Sequence, residues 1–291
     1  TTGTENTLIG GLAGDALTDA DGNVALGAYA LSSDTLGSDS VAIGNNALLT
    51  QNFTSATDAY NVAVGKNAGL FVTTGIQNTL IGSHAGDALT DADYNVAIGM
   101  QALTADTLGS RSTAMGFFAL GSQNFTTATD VYNTAVGYSA GSAVTTGTAN
   151  TLVGSLVGDA LTTGVNNTAL GAAALGAATI DQRNTAIGNS CLQTLNRAGE
   201  SDPIGYNVGV GYGAGSDITT GTANTCIGAI AGDGITVGTN NTIIGYDSNP
   251  SNNSTNAIAL GSGVSVNSDD FTFGKPSNLV TNDFDTDANW S

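Results

Sequence analysis

The sequence predicts an all-β fold, a parallel β-solenoid of about fifteen coils. Three observations carry that expectation. A five-residue motif ending in glycine recurs along the chain, a register of alanines follows it at fixed distance, and helix formers are scarce. The motif reads Asn or Ser, Thr or Val, a small or apolar residue, an aliphatic residue, then Gly, as in NTLIG, NVAIG and SVAIG. Fifteen closing glycines run from Gly10 to Gly261, spaced 17, 17, 21 and 17 residues twice over, then 17, 17, 23 and 17, then 17 and 16. The short repeats thus group into cassettes of 72, 72 and 74 residues with a partial fourth. Fixed self-similarity at this period is the mark of a solenoid.

The second register places Ala three residues after most motif glycines, at Ala13, Ala30, Ala47 and onward, with Gly or Leu next, as in Gly14, Leu31, Leu48 and Gly69. One residue type at one height is what stacked coils need. Each motif is a short strand whose side chains alternate between faces. The Thr/Val and aliphatic positions share one face and the small residue takes the other, so both are apolar or small, and the strand is expected to be covered on both sides. At strand spacing fifteen coils would make a rod roughly 70 Å long. Its thin core and open edges call for neighbours and caps. Residues 1–261 form the repeat shaft in this reading, and residues 262–291 an aperiodic tail.

Composition agrees. Charged residues are 10% of the chain, Gly numbers 41 and Pro 3, and only Glu5 and Glu200 of the 24 acidic residues are not Asp. Such a chain favours turns and strands. A net charge of −19 with five basic residues excludes nucleic acid and an anionic membrane surface as partners. The charge serves solubility, with recruitment of divalent cations as the alternative. No run of about 18 apolar residues suggests a membrane helix. The opening TTGTENT reads as part of something longer. Cys191 and Cys226, two coils apart, are expected to lie over ~9 Å apart, beyond disulfide reach.

The NTAIG/SVAIG strand, with its Ala and the polar turn after it, resembles the head repeats of trimeric autotransporter adhesins. It is closer still to related repeats in bacteriophage tail fibres and tailspikes, where NTAIG alternates with xxAG/xxAL and TTGxxN. The resemblance covers Asn6 to Gly261. It implies a left-handed β-roll assembled as an elongated homotrimer. In the tail, FDTDANWS resembles the segment before the intramolecular chaperone of endosialidase-type phage spikes, which trimerises the chain and then cuts itself off; the chaperone's serine-lysine pair is not in this sequence.

Function is expected where the stack is interrupted. The long coils carry insertions at 45–60, 117–132 and 189–206, roughly 19 Å apart along the stack. Loops on a rigid scaffold are common binding sites. Asn52, Phe53 and Thr54, repeated as Asn124, Phe125 and Thr126, would set a ring between polar groups for sugar stacking; the alternative is that the rings anchor the loops. The third insertion differs and brings in Arg183 and Arg197 as candidate contacts. Asp15, Asp19 and Asp21, with Asp87, Asp91 and Asp93 one cassette on, resemble an oxygen-rich calcium turn. The third cassette keeps Asp159 alone, which favours solvated turns, and calcium is the one cofactor left open.

Catalytic residues are few. His84 is the sole histidine, with Leu12 at the equivalent place, and no particular carboxylate pair is marked out for glycan cleavage. The expected function is a structural and adhesive virion fibre component, presenting loops in three copies to host glycan or lipopolysaccharide and joined to other virion proteins through an N-terminal region. The rivals are a bacterial trimeric autotransporter adhesin head at the cell surface and a polysaccharide-degrading tailspike. Ice binding by the stacked Thr7, Thr79, Thr151 and Thr225 is set aside because those threonines share a face with aliphatics assigned to the core.

Overall fold

A computed structural model describes residues 2–251 and 253–283. It is all-β among these residues, with no helix and hence none able to cross a membrane. The chain divides into two compact units, Thr1–Thr146 and Gly147–Ser291. In the first, eight three-residue strands from Thr7–Ile9 to Thr134–Val136 pair in parallel, in register, motif on motif. In the second, eight more run from Thr151–Val153 to Asp270–Lys275.

That makes sixteen coils, one beyond the fifteen read from the motif. The extra strand pairs Gly274 with Gly261 and Thr272 with Ala259, without the Asn that opens other coils. Among the described residues an antiparallel partner, Asn278–Asp283, follows it. FDTDANWS, at 284–291, lies outside the described residues.

The motif glycine is fixed by backbone geometry. Gly65 has φ +140, and a Cβ there would lie 2.5 Å from the carbonyl oxygen of Gly82 in the next coil. Only glycine fits both demands.

Asparagine opens most motifs because it is a rung. Asn78 Nδ2 donates to the Ala92 carbonyl at 2.7 Å, while its Oδ1 accepts the Asn95 backbone N–H at 2.9 Å. The same pattern recurs coil after coil, and these buried amides are satisfied along the stack.

The core explains the Gly/Leu alternation. In some coils Leu31, Leu48, Leu103 or Leu120 is fully buried at φ between 48 and 54. That left-handed conformation costs a Leu about 1–2 kcal/mol, against roughly 1.5–3 kcal/mol from burying the side chain. In most of the others Gly stands there, and an aliphatic three residues on fills the space, as Leu89 does after Gly86. A Cβ on Gly86 would sit 2.7 Å from Leu80 Cδ2 and 2.8 Å from Leu89 Cδ1.

The strand faces correct the sequence reading. The small middle residues, such as Ala42, Ala63 and Ala97, point inward and are fully buried. The Thr/Val and aliphatic positions point outward: Leu26, Ile81, Met115, Leu170 and Ile244 are exposed, and Ile43, Val64 and Ile98 half-buried. The aliphatics that close the strand are not core. The inward place at its middle is taken by Ala in coils such as those of Leu48 and Leu103, and by the fully buried Leu80 and Leu152 where Gly86 and Gly158 make room.

Candidate functional site

The outward face of the strands is a uniform surface in each unit. Its two columns read Thr/Val and Ile/Leu/Val/Met in the first unit, and continue likewise to Phe271 and Phe273 in the second. None of these ladder positions is charged, in a chain with 24 acidic residues. On one flank Met100, Phe117 and Tyr138 are exposed on successive coils, with the Phe117 and Tyr138 rings stacked at 5.4 Å. On the other, Tyr60, Tyr94 and Tyr132 stand at the corner just before the motif asparagine. Sequence reasoning missed these tyrosines. The signal was present in AYNVAVG, DYNVAIG and VYNTAVG.

The first two insertions are held by a buried polar bracket. Ser40 replaces the ladder asparagine in the preceding coil, and Gln51 reaches in to compensate. Its Nε2 donates to Ser40 Oγ at 3.1 Å and to Asp34 Oδ2 at 2.6 Å, and its Oε1 accepts from Asn61 Nδ2 at 2.9 Å. Asp34 Oδ1 also accepts the backbone N–H of Gly37 at 3.0 Å and of Phe53 at 3.1 Å. Asp106, Ser112, Gln123, Asn133, Gly109 and Phe125 repeat the arrangement in the second cassette. Phe53 and Phe125 are 6% and 7% exposed, so their rings anchor the insertions. Asn52, Thr54, Asn124 and Thr126 are the exposed members, and the two asparagines accept hydrogen bonds from Thr35 and Thr107.

The third insertion lacks the bracket. Ala178, Asn184 and Leu195 stand where the first cassette has Asp34, Ser40 and Gln51. Arg197 takes the place of Phe53 and is 8% exposed. Its guanidinium donates to the Thr220 carbonyl and, at 2.9 Å, to the Asp202 carbonyl, while its buried Nε has no partner. Its backbone N–H donates to Asp181 Oδ1 at 3.1 Å. Burial pushes the Asp181 carboxyl above its usual value, opposed by N–H donors from Thr179 and Arg197. Arg183 is exposed instead, its NH1 2.8 Å from the Tyr206 hydroxyl.

No family model, curated protein or solved structure matches this chain. What the sites can do therefore rests on their own chemistry.

The aspartate turns engage neighbouring coils. Asp19 accepts from the Thr2 hydroxyl, Asp91 from the Thr74 hydroxyl at 2.6 Å, and Asp87 from Thr104 Oγ1 at 2.5 Å. The N–H and hydroxyl of Thr4 hold the Asp21 carboxyl below its usual value. Burial raises the equivalent Asp93, although the Ile76 N–H donates to it at 2.8 Å. Asp15 is exposed. Among the described residues no three His, Cys, Asp or Glu side chains gather in a metal-holding group. His84 Nδ1 lies 2.8 Å from Asp87 Oδ2. Cys191 and Cys226 are free and buried, and burial pushes both thiols up to about 12.

Proposed function

We propose that this chain is a structural and adhesive component of a virion fibre. Three copies pack through their outward ladders and carry the insertions toward a glycan-coated bacterial surface. The uncharged ladder carries the proposal. Contiguous exposed apolar surface on a soluble chain marks an interface, and interface centres are depleted of charge. A partner covering strand after strand must repeat at the same spacing of about 4.8 Å. A second copy of the chain meets that demand, and few other partners do. The number three and the virion setting come from the resemblance of the NTAIG/SVAIG repeats to phage fibres. Repeated weak loop contacts on one assembly would supply avidity.

A charge on the ladder tests this. Val96→Lys with Ile98→Lys is expected to release single chains that keep the far-ultraviolet β signal. An assembly of unchanged mass would overturn the proposal.

A further inference from the structure

Tyr60, Tyr94 and Tyr132 form a regular stripe on the first unit. They occupy one corner position, each directly before a ladder asparagine, with Gln77 and Arg111 on the coils between. The five residues share a left-handed backbone, φ 50 to 65. The corners stack through backbone bonds, Tyr94 N–H to the Ile76 carbonyl at 3.1 Å and Arg111 N–H to the Asp93 carbonyl at 3.0 Å. The rings are therefore two coils apart, about 9.6 Å at strand spacing. They are 51%, 41% and 58% exposed.

Their neighbours orient them. The Tyr60 hydroxyl lies 3.4 Å from Asp58 Oδ2, and the Tyr132 hydroxyl 3.2 Å from Asp130 Oδ2. Arg111 Nε donates to Asp130 Oδ1 at 2.8 Å, and its guanidinium lies 4.8 Å from the Tyr94 ring centre. The stripe is thus a row of positioned aromatic platforms with carboxylate, guanidinium and amide groups between them. Rigid aromatic faces flanked by a few fixed polar groups are how shallow sites hold amphipathic ligands.

We infer that this stripe binds an extended, uncharged polysaccharide, one disaccharide to each pair of coils. Pyranose rings offer C–H faces to the tyrosines and hydroxyls to Asp58, Gln77 and Asp130. In an extended β-1,4-linked chain every second sugar presents the same face, so tyrosines recurring at a disaccharide step meet like-facing sugar rings. A polyanionic glycan is disfavoured, since Arg111 is paired and the chain carries −19. The inference rests on the adhesive part of the proposed function and moves its glycan contact from the insertions to the stripe.

Affinity electrophoresis of the full chain in native gels containing hydroxyethyl cellulose, glycol chitin or galactomannan tests this. At least one polymer is expected to retard the protein. Tyr94→Asn should weaken retardation roughly tenfold, the effect of losing one stacked ring. The triple variant Tyr60→Asn/Tyr94→Asn/Tyr132→Asn should abolish it. These variants suit the backbone, because Asn166 and Asn240 occupy the same corner at φ 59. No retardation in any of the three gels, or retardation that the triple variant keeps, overturns the inference. Solution mass, measured in parallel, separates the two proposals. A triple variant that loses assembly marks the stripe as a seam between copies, and the glycan inference then falls while the assembly stands. A single-chain protein that still binds polymer through the tyrosines leaves the stripe standing and removes the assembly.

Discussion

Gln51 and Leu195 occupy the same step of their coils, seven residues after a motif glycine, and each sits beneath an insertion. Around Gln51 the chain has buried a carboxylate, a hydroxyl and two amides that satisfy one another. Around Leu195 it has Ala178 and an uninterrupted asparagine rung, Asn207 N–H donating to Asn184 Oδ1 at 3.1 Å. The polar solution fastens its loop through Asp34 and a buried ring. The apolar one leaves the loop to Asp181 and to a guanidinium whose Nε is unsatisfied. Groups that satisfy one another form an interdependent set, whereas the Leu195 coil keeps its asparagine ladder intact.

The largest effect should come from breaking the bracket. Gln51→Leu removes a donor from a buried carboxylate that keeps only the Gly37 and Phe53 N–H groups, and takes partners from Ser40 and Asn61, at an expected cost of about 2–4 kcal/mol. Adding Asp34→Ala and Ser40→Asn installs the third cassette's residues and should recover much of that loss, read as denaturant midpoints. Additive losses would contradict the comparison.

Arg197→Ala should cost about 2 kcal/mol through the lost carbonyl contacts. Arg197→Phe, which copies Phe53, should cost less. Cys191, buried in this coil, reports opening, since a thiol raised to about 12 resists labelling until exposed. Labelling that does not accelerate in Arg197→Ala would contradict the anchoring role.

The pH dependence is smaller. The folded-state pKa of Asp181 lies above its unfolded value, so the folded state holds the extra proton and this group's contribution to stability falls as pH rises through that window. Hydrogen-exchange protection of 198–206 should therefore rise on acidification from neutral pH, and Asp181→Asn should flatten the trend. A trend unchanged by the substitution would assign it elsewhere.

The smallest effect should follow EDTA. Asp19, Asp21, Asp87, Asp91 and Asp93 already accept hydrogen bonds from other residues. The melting temperature is expected to hold, and a fall would restore calcium to these turns.

Much of the fold was legible because stacking forces repetition. The glycines, alanines and insertions all showed in the spacing. The direction of the strand faces did not. Alternation yields two apolar faces, and which one is inward depends on how little room a coil encloses. Leu31 and Leu48 fill that room from left-handed positions that propensity disfavours for leucine. The sixteenth coil escaped because DFTFG lacks the opening asparagine and follows at a spacing of 13.

The site was less legible. Phe53 and Phe125 stood out as rings among polar groups, and they are fastened by Asp34 and Asp106, each nineteen residues upstream of its phenylalanine and in another coil. The tyrosine stripe was hidden because its members are separated by 34 and 38 residues and meet only once the coils stack.

The central claim is that the uncharged outward ladder is covered by further copies of the same chain. Light scattering of the purified, unmodified protein tests it most directly. The account predicts three times 28.7 kDa, independent of EDTA. A mass of one chain would contradict it.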